Sequence, residues 1–373
     1  MKSVYIAIGL TLFAAYLLLN TERIAPETEE AFKEFVVKYR KSYASEDQYG
    51  FRLGVFNNNL KEIDRLRFEH PKAMFDINEF ADLTIEEREA LLGWKEPEGA
   101  KVYRNTPKVF KKKEVDWKNF DSKIKNQGSC GSCWAFAAAE TLESSFAIHS
   151  GKHIEIAPQQ FVDCTKGESD GCNGGWMDDV FDYVKTHKVC TEEEYKYTAR
   201  DGKCKEDKCN IDLGLKGRVN VAPNSVEALL EAAEVSPLSV AVDASPMSFY
   251  RGGILEIRTD SLNHGMVLVG YNVEAETPYV VLRNSWGERW GDHGYVKVSL
   301  EHNGGITKAA SYPDFGDIQT KPGIGKCKTG EDPNPQSNCL CTYGEACDKK
   351  KPHGKDKDGC DDECGCGEFG FCR

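Results

Sequence analysis

Residues Asn126 to Glu140 read N-Q-G-S-C-G-S-C-W-A-F-A-A-A-E, and two kinds of local structure meet inside them. Gln127, Gly128, Ser129, Cys130, Gly131 and Ser132 make a glycine-rich stretch that predicts a tight turn. From Trp134 onward, Ala135, Phe136, Ala139, Leu142 and Phe146 repeat at three- and four-residue spacing, which predicts a buried helix with one apolar stripe. Gly151 supplies its C-terminal stop. Cys133 then falls at the helix N-terminus, where unpaired N–H groups and the macrodipole favour an anion. A thiolate with a lowered pKa is expected there, and a thiolate is a nucleophile. Cys130 and Cys133 also fit half a zinc site or a redox C-x-x-C motif. No second C-x-x-C occurs in the chain and no βαβ pattern surrounds this one, so both of those readings lack their context.

A nucleophile of this kind needs a base from elsewhere. Leu262, Asn263, His264, Gly265 and Met266 run into the apolar Val267, Leu268, Val269 and Gly270, which predicts a strand. Tyr279 to Leu282 predicts another, ending in Arg283, Asn284, Ser285, Trp286 and Gly287. His264 and Asn284 are therefore expected on adjacent strands facing the Cys133 helix. An imidazole beside the thiol takes its proton and an amide fixes the ring, a nucleophile–base–orienter arrangement. A lone histidine on a strand is more often a satisfied core residue; here it stands in order with the other role-bearing positions.

In these residues the chain resembles the papain-like cysteine proteases, whose histidine and asparagine follow the nucleophile by roughly 130–150 residues. His264 and Asn284 stand 131 and 151 residues after Cys133. The resemblance implies an α+β, two-lobed fold, with a helical lobe and a β-rich lobe facing across a cleft. It implies Cys133 as nucleophile, His264 as general base and acid, and Asn284 as its orienter. The Gln127 amide with the Cys133 N–H would form the oxyanion hole, and Trp286 would shield the His–Asn bond from water. Gln159 to Cys164 and Gly171-Cys172-Asn173-Gly174-Gly175 also match the family. Gly174 and Gly175 would offer bare backbone to an extended substrate. The pocket for the second residue on the acyl side would be lined by Trp176, Met177, Ala241, Leu262, Gly265 and Ala309. Ala309 stands where some relatives carry Glu, so Leu or Phe is expected there rather than Arg. That is similar to cathepsin L more than cathepsin B, and without a histidine-containing insertion it implies endopeptidase action.

Length and composition bound the rest. The 373 residues suffice for two or three domains, and 40% hydrophobic content is globular. A net charge of −12 with a pI near 5.3 argues against a nucleic-acid partner. Fifteen cysteines point to an oxidising compartment. Setting Cys133 aside leaves an even number. Family spacing implies Cys130–Cys172 and Cys164–Cys204, and Cys190 with Cys209 are left over together as a third pair.

Residues 1–20 read as a signal peptide, basic and then apolar from Val4 to Leu19, or as an uncleaved signal anchor. Residues 27–92 are helical and charge-laced, with Gln48, Arg52, Val55, Phe56, Asn59 and Ile63 at helical spacing. Asp76, Asn78, Phe80 and Asp82 alternate as on a short strand. This region resembles the inhibitory pro-segment of cathepsin L-like proteases, which in the family runs through the cleft against the substrate direction. It departs from the family pattern at Gln48, where Glu is usual, and at Arg67, where Asn is usual. Protonation of carboxylates such as Asp82 would help release it in acid. Residues 93–112 read as the activation linker, with cleavage expected between about Asn105 and Lys113. Lys111 to Lys113 fit either trypsin-like processing or a solvated basic loop. The peptidase domain is expected over 113–315, opening with Glu114-Val115-Asp116-Trp117, and a further linker over 316–326. Residues 327–373 then hold eight cysteines with few large apolar side chains and a repeated C-x-C-x5-C, at Cys339, Cys341, Cys347 and at Cys364, Cys366, Cys372. A disulfide-stapled module is expected, a metal cluster being the other reading.

The chain therefore reads as a secreted or lysosomal/vacuolar cysteine endopeptidase made as an inactive precursor. No cofactor and no metal is expected. The expected partners are protein and peptide substrates and its own pro-domain, with a membrane only if the signal stays uncleaved, and the molecule is expected to be a monomer. Two other classes were weighed: a catalytically dead homologue that binds, and a ligand-binding or adhesive protein whose C-terminal module is the main functional part. None of the four catalytic positions is substituted, which argues against the first.

Overall fold

The computed structural model describes residues 24–96 and 110–316. The expected signal segment and the cysteine-rich module lie outside the described residues. Among the described residues, no helix is long and apolar enough to cross a membrane.

The pro-segment opens with α1 (Pro26–Lys38) and α2 (Glu46–Glu69). Pro26 at the first turn and Ser45 at the N-cap of α2 start them as their residue types favour. Gln48 donates its N–H to Ser45 Oγ (3.2 Å) and its side chain accepts from the Ala44 N–H (2.5 Å), so the amide caps this turn without a charge. Phe32, Phe35 and Phe56 pack with centroids 5.2–5.9 Å apart and form the small core between the helices. The strand of this region is β1 (Ala73–Phe75), earlier than the alternation of Asp76 to Asp82 suggests. Those polar side chains turn the chain instead. Asp76 accepts from the Ile77 N–H and Asn78 from the Phe80 N–H, local bonds that compete with extension. Asp82 is buried against Lys41 Nζ (2.7 Å) and Tyr43 Oη (2.9 Å). A capping box of Thr84 and Glu87 begins α3 (Ile85–Glu89), and Arg52 grips Glu87 with two nitrogens.

The remainder runs β2 (Glu114–Asp116), α4 (Cys133–Ser150), α5 (Pro158–Cys164), α6 (Met177–Val184), β3 (Gly217–Asn220), α7 (Val226–Ala233), β4 (Leu238–Val242), β5 (Tyr250–Ile257), β6 (His264–Asn272), β7 (Tyr279–Arg283), β8 (Tyr295–Asn303) and β9 (Ala310–Asp314). Helices come first and strands second, as the hydrophobic patterning requires of two lobes. The sheet order is β1-β5-β8-β7-β6-β4-β9-β3, with β2 also on β6. All pairs are antiparallel except β5 with β8. The pro-segment thus extends the sheet of the strand-rich lobe, Ala73 opposite Gly253. Gly253 sits at φ 77°, and a Cβ there would lie 2.4 Å from the Lys72 carbonyl oxygen. One buried cluster runs from Phe56 of the pro-segment to Tyr250, Trp286 and Trp290 of this lobe.

Cys130–Cys172, Cys164–Cys204 and Cys190–Cys209 are bonded in the helical lobe, and Cys133 is the free cysteine among the described residues. Helix α4 ends on Gly151 at φ 70°, but it is not amphipathic in the expected sense. Fourteen of its 18 residues are buried, because it lies between the lobes and meets β6, α6 and β4. Its polar residues are paired rather than solvated: Glu143 with Lys125, Glu140 with Arg283 (3.4 Å), Thr141 with Ser239 (2.8 Å). Burial still pushes Glu140 up to about 7.

Candidate active site

Pairing of β6 with β7 puts His264 and Asn284 side by side, as the two apolar runs suggested. His264 opens β6 opposite Val242, and Asn284 follows the last residue of β7. The Asn284 Oδ1 lies 2.8 Å from His264 Nε2 and also accepts the Ser285 N–H at 2.8 Å. An oxygen held by two donors assigns the histidine proton to Nε2. Nδ1 then carries a lone pair, and it is buried without a partner. Trp286 covers the imidazole at 4.8 Å between centroids. Burial lowers the His264 pKa to about 4, so the ring is neutral at ordinary pH.

Cys133 is the first residue of α4 and is wholly buried. Gly265, next to His264, approaches it closely: a Cβ there would sit 3.4 Å from the Cys133 carbonyl. The sulfur accepts from the Gly93 N–H (3.3 Å) and the Gly265 N–H (3.4 Å), and no hydrogen bond joins it to His264. The thiol is pushed up to about 11 by burial, against these N–H groups and those of its own helix turn. This corrects the expectation of a lowered pKa. A helix tip stabilises a thiolate only where the desolvation penalty is smaller, and here the pro-segment excludes water.

Gln127 is pinned on every side. Its N–H donates to Ser285 O (2.8 Å), its Oε1 accepts from Ser285 Oγ (2.7 Å), and its Nε2 donates to Cys130 O (2.8 Å) and Leu91 O (2.9 Å). The amide expected to face an oxyanion therefore holds a pro-segment carbonyl. Gly175 also has both backbone groups taken. Its N–H donates to Gly93 O (2.8 Å), and its carbonyl accepts from the Lys95 N–H (3.1 Å). Trp94 and Gly175 form a parallel bridge. Gly174 beside it stands at φ 109°. Trp94 shares a buried cluster with Trp176, Met177, Ala241 and Ala309, with Leu262 at its margin, and its ring lies 5.6 Å from Trp176. A Cβ on Gly265 would sit 3.3 Å from Met177 Sδ. Of the residues expected at the pocket, Trp176 is the one whose ring packs near the Trp94 indole, and Met177, Ala241 and Ala309 belong to the same buried cluster.

Two features escaped the sequence reading. Leu91-Leu92-Gly93-Trp94 is the segment that fills the cleft, so the first residues of the expected linker at 93–112 are seated on the enzyme, and a glycine between large apolar residues was the signal. Ser285 orients the Gln127 amide, and its place between Asn284 and Trp286 was the only hint.

Residues 111–314 match the family described as papain family cysteine protease, and residues 32–87 the cathepsin propeptide inhibitor domain. The chain belongs to the papain family of cysteine proteases. Cathepsin L 2 of Paramecium tetraurelia is 36% identical to it over 81% of this chain and 98% of that one. Digestive cysteine proteinase 2 of Homarus americanus is 36% identical, covering 76% and 94%. The structure of digestive procathepsin L 3 from Tenebrio molitor larval midgut superposes with a TM-score of 0.69 at 30% identity, over 77% of this chain and 98% of that one. The protease is thus cathepsin L-like and carries its own inhibitor domain. These matches lend nothing to the reading in which the C-terminal module is the main functional part.

Proposed function

We propose that the protease is a precursor whose Cys133 attacks peptide carbonyls once the pro-segment leaves. His264 takes the thiol proton at Nδ1 and later returns it to the leaving amine. Asn284 holds the ring, and Trp286 keeps water from the bond between them. The Gln127 amide and the Cys133 N–H receive the oxyanion in the place of the Leu91 carbonyl. The observation that carries this reading is the unpartnered Nδ1 of His264, a buried acceptor at the start of β6, where the next residue, Gly265, supplies its N–H to the sulfur.

A substrate residue would replace Trp94 in the apolar pocket, so Phe or Leu suits it and an unpaired Arg does not. Processed enzyme is expected to cleave a Phe-Arg peptide with kcat/KM at least about 30-fold above its Arg-Arg counterpart, and Ala309→Glu should narrow the gap. Equal rates on the two peptides in the unsubstituted enzyme would contradict the pocket assignment.

Within the expected span from about Asn105 to Lys113, we propose that processing falls before Lys111. The N–H groups of Lys111 and Lys112 both bind Glu234, and Tyr271 Oη holds Lys112 O at 3.0 Å, so that backbone lies fixed along the sheet. Lys111 to Lys113 are exposed and outside regular secondary structure, which agrees with a solvated basic loop whose backbone is held in place. The compartment is proposed to be extracellular or an acidic vacuole or lysosome, which suits the acid sensitivity of the inhibited state.

Glu87 is held below its ordinary pKa by Arg52, and Glu256 by Lys72 of the pro-segment (2.8 Å). A depressed carboxylate stabilises the docked state above its free value of roughly 4.3 and ceases to as pH falls through the lower folded value. Release of the pro-segment should therefore accelerate as pH drops from about 5 to below 4. Glu256→Gln should hasten release at pH 6 and flatten that pH dependence in stopped-time processing assays; an unchanged profile would rule the Lys72–Glu256 pair out as the trigger.

A further inference from the structure

Tyr197 lies outside every motif read above, yet its hydroxyl reaches both sides of the nucleophile's setting. It lies 2.8 Å from the Gln127 carbonyl oxygen and 2.6 Å from Ser132 Oγ. Proton counting fixes the directions. A carbonyl only accepts, so the phenolic proton goes to Gln127, and Ser132 donates to the phenolic oxygen at 2.6 Å in preference to the Cys130 carbonyl at 3.5 Å. The ring is wedged edge-on against Phe136 of α4 at 4.7 Å. Its backbone is braced as well: the Tyr197 N–H donates to Glu192 Oε1 (3.0 Å), and the Thr198 N–H to Gln159 Oε1 (2.8 Å).

The consequence lies in what Ser132 does not do. It is the N-cap of α4, wholly buried, and an N-cap serine ordinarily accepts from the amides of the first helical turn. Here its side chain makes no capping bond. Its hydroxyl is turned to Tyr197; the Ala135 and Phe136 N–H groups go to the Ser132 carbonyl (2.9 and 3.1 Å), and those of Cys133 and Trp134 are left beside the sulfur. The same phenol clamps the carbonyl of Gln127, whose side chain has its other end set by Ser285.

We propose that Tyr197 is a positioning residue for peptide hydrolysis. It draws the Ser132 hydroxyl away from the helix tip and fixes the Gln127 main chain, so the amides that meet thiolate and oxyanion are set before substrate arrives. This rests on the roles proposed above for Cys133 and Gln127.

The test uses the acid-processed enzyme with three variants. Tyr197→Phe keeps the ring on Phe136 and removes only the hydroxyl. Ser132→Ala removes the other end of the same link. Tyr195→Phe removes a different phenol of the same lobe, bound to Asp163 (2.7 Å) and Lys203 O (3.1 Å) rather than to Ser132 or Gln127. Tyr197→Phe is expected to lower kcat about 10-fold with KM within about twofold, the signature of an interaction realised in the transition state. The pH midpoint for alkylation of Cys133 by iodoacetamide should rise with it. Ser132→Ala, which leaves no hydroxyl to cap the helix, should cost less than Tyr197→Phe, and added to it should restore part of the lost kcat. Tyr195→Phe should leave kcat and the alkylation profile in place even where melting temperature falls. A kcat within twofold for Tyr197→Phe, an equal loss in Tyr195→Phe, or full additivity with Ser132→Ala would overturn the proposal. Cys133→Ser run in parallel separates the cases: activity surviving there sinks the underlying reading, whereas an unaffected Tyr197→Phe with Cys133 essential sinks only this one.

Discussion

Cys133→Ser is expected to leave the processed protease with less than about one part in 10^4 of its peptide hydrolysis. The substitution is nearly isosteric, and the sulfur is held only by weak N–H contacts such as those of Gly93 and Gly265, so folding should change little. The chemistry does not survive. A thiol near pKa 8.5 surrenders its proton to a neutral imidazole, whereas an alcohol needs a base steadied by a carboxylate. Here the group behind His264 is the neutral amide of Asn284, which orients the ring but does not offset its positive charge. Because the variant cannot process itself, its pro-segment is removed by added active enzyme, which is then inactivated. Hydrolysis of a Phe-Arg peptide above about 1% of the unsubstituted rate would mean that the sulfur is not the nucleophile.

Gly93→Ala should convert the precursor from latent to active at neutral pH. A Cβ at this position would stand 1.8 Å from Gly131 O, 2.3 Å from its C and 2.7 Å from its Cα, all backbone atoms of the disulfide-tied turn that leads to Cys133. No rotamer relieves such an overlap. Overpacking against fixed backbone costs about 3 kcal/mol, and here the strain is avoided by undocking the segment. The same residue donates to the Cys133 sulfur and accepts from the Gly175 N–H, so both bonds are lost together. The inhibited state should weaken by more than about 100-fold, and the uncleaved Gly93→Ala precursor should hydrolyse peptide at pH 7 where the unsubstituted precursor does not. A latent Gly93→Ala precursor would show that inhibition does not depend on the seat of Gly93 in the cleft.

Much of this site was legible because short-range patterns determine it. The switch from a glycine-rich turn to an apolar helix at Cys133, and the two apolar runs, one beginning beside His264 and one ending beside Asn284, need no knowledge of distant partners. What remained illegible depends on contacts across the chain. The raised pKa of Cys133 follows from cover supplied by Gly93, forty residues earlier, and helix geometry alone gives the opposite sign. The alternation from Asp76 to Asp82 imitates a strand, yet its side chains bond to nearby backbone and break the ladder. Helix α4 conceals its full burial behind Glu140 and Glu143, whose cationic partners Arg283 and Lys125 come from other elements. Tyr197 carries no local signature, because its importance lies in two bonds to residues 65 and 70 positions away.

The most direct test labels precursor and acid-processed protease with a thiol-directed epoxysuccinyl reagent and maps the adduct by peptide mass spectrometry. The processed enzyme should take up one equivalent, on Cys133, with activity lost in proportion. The precursor at pH 7 should take up none over the same exposure. Inactivation with Cys133 unmodified, or an adduct on Cys133 formed equally fast in the precursor, would contradict the account.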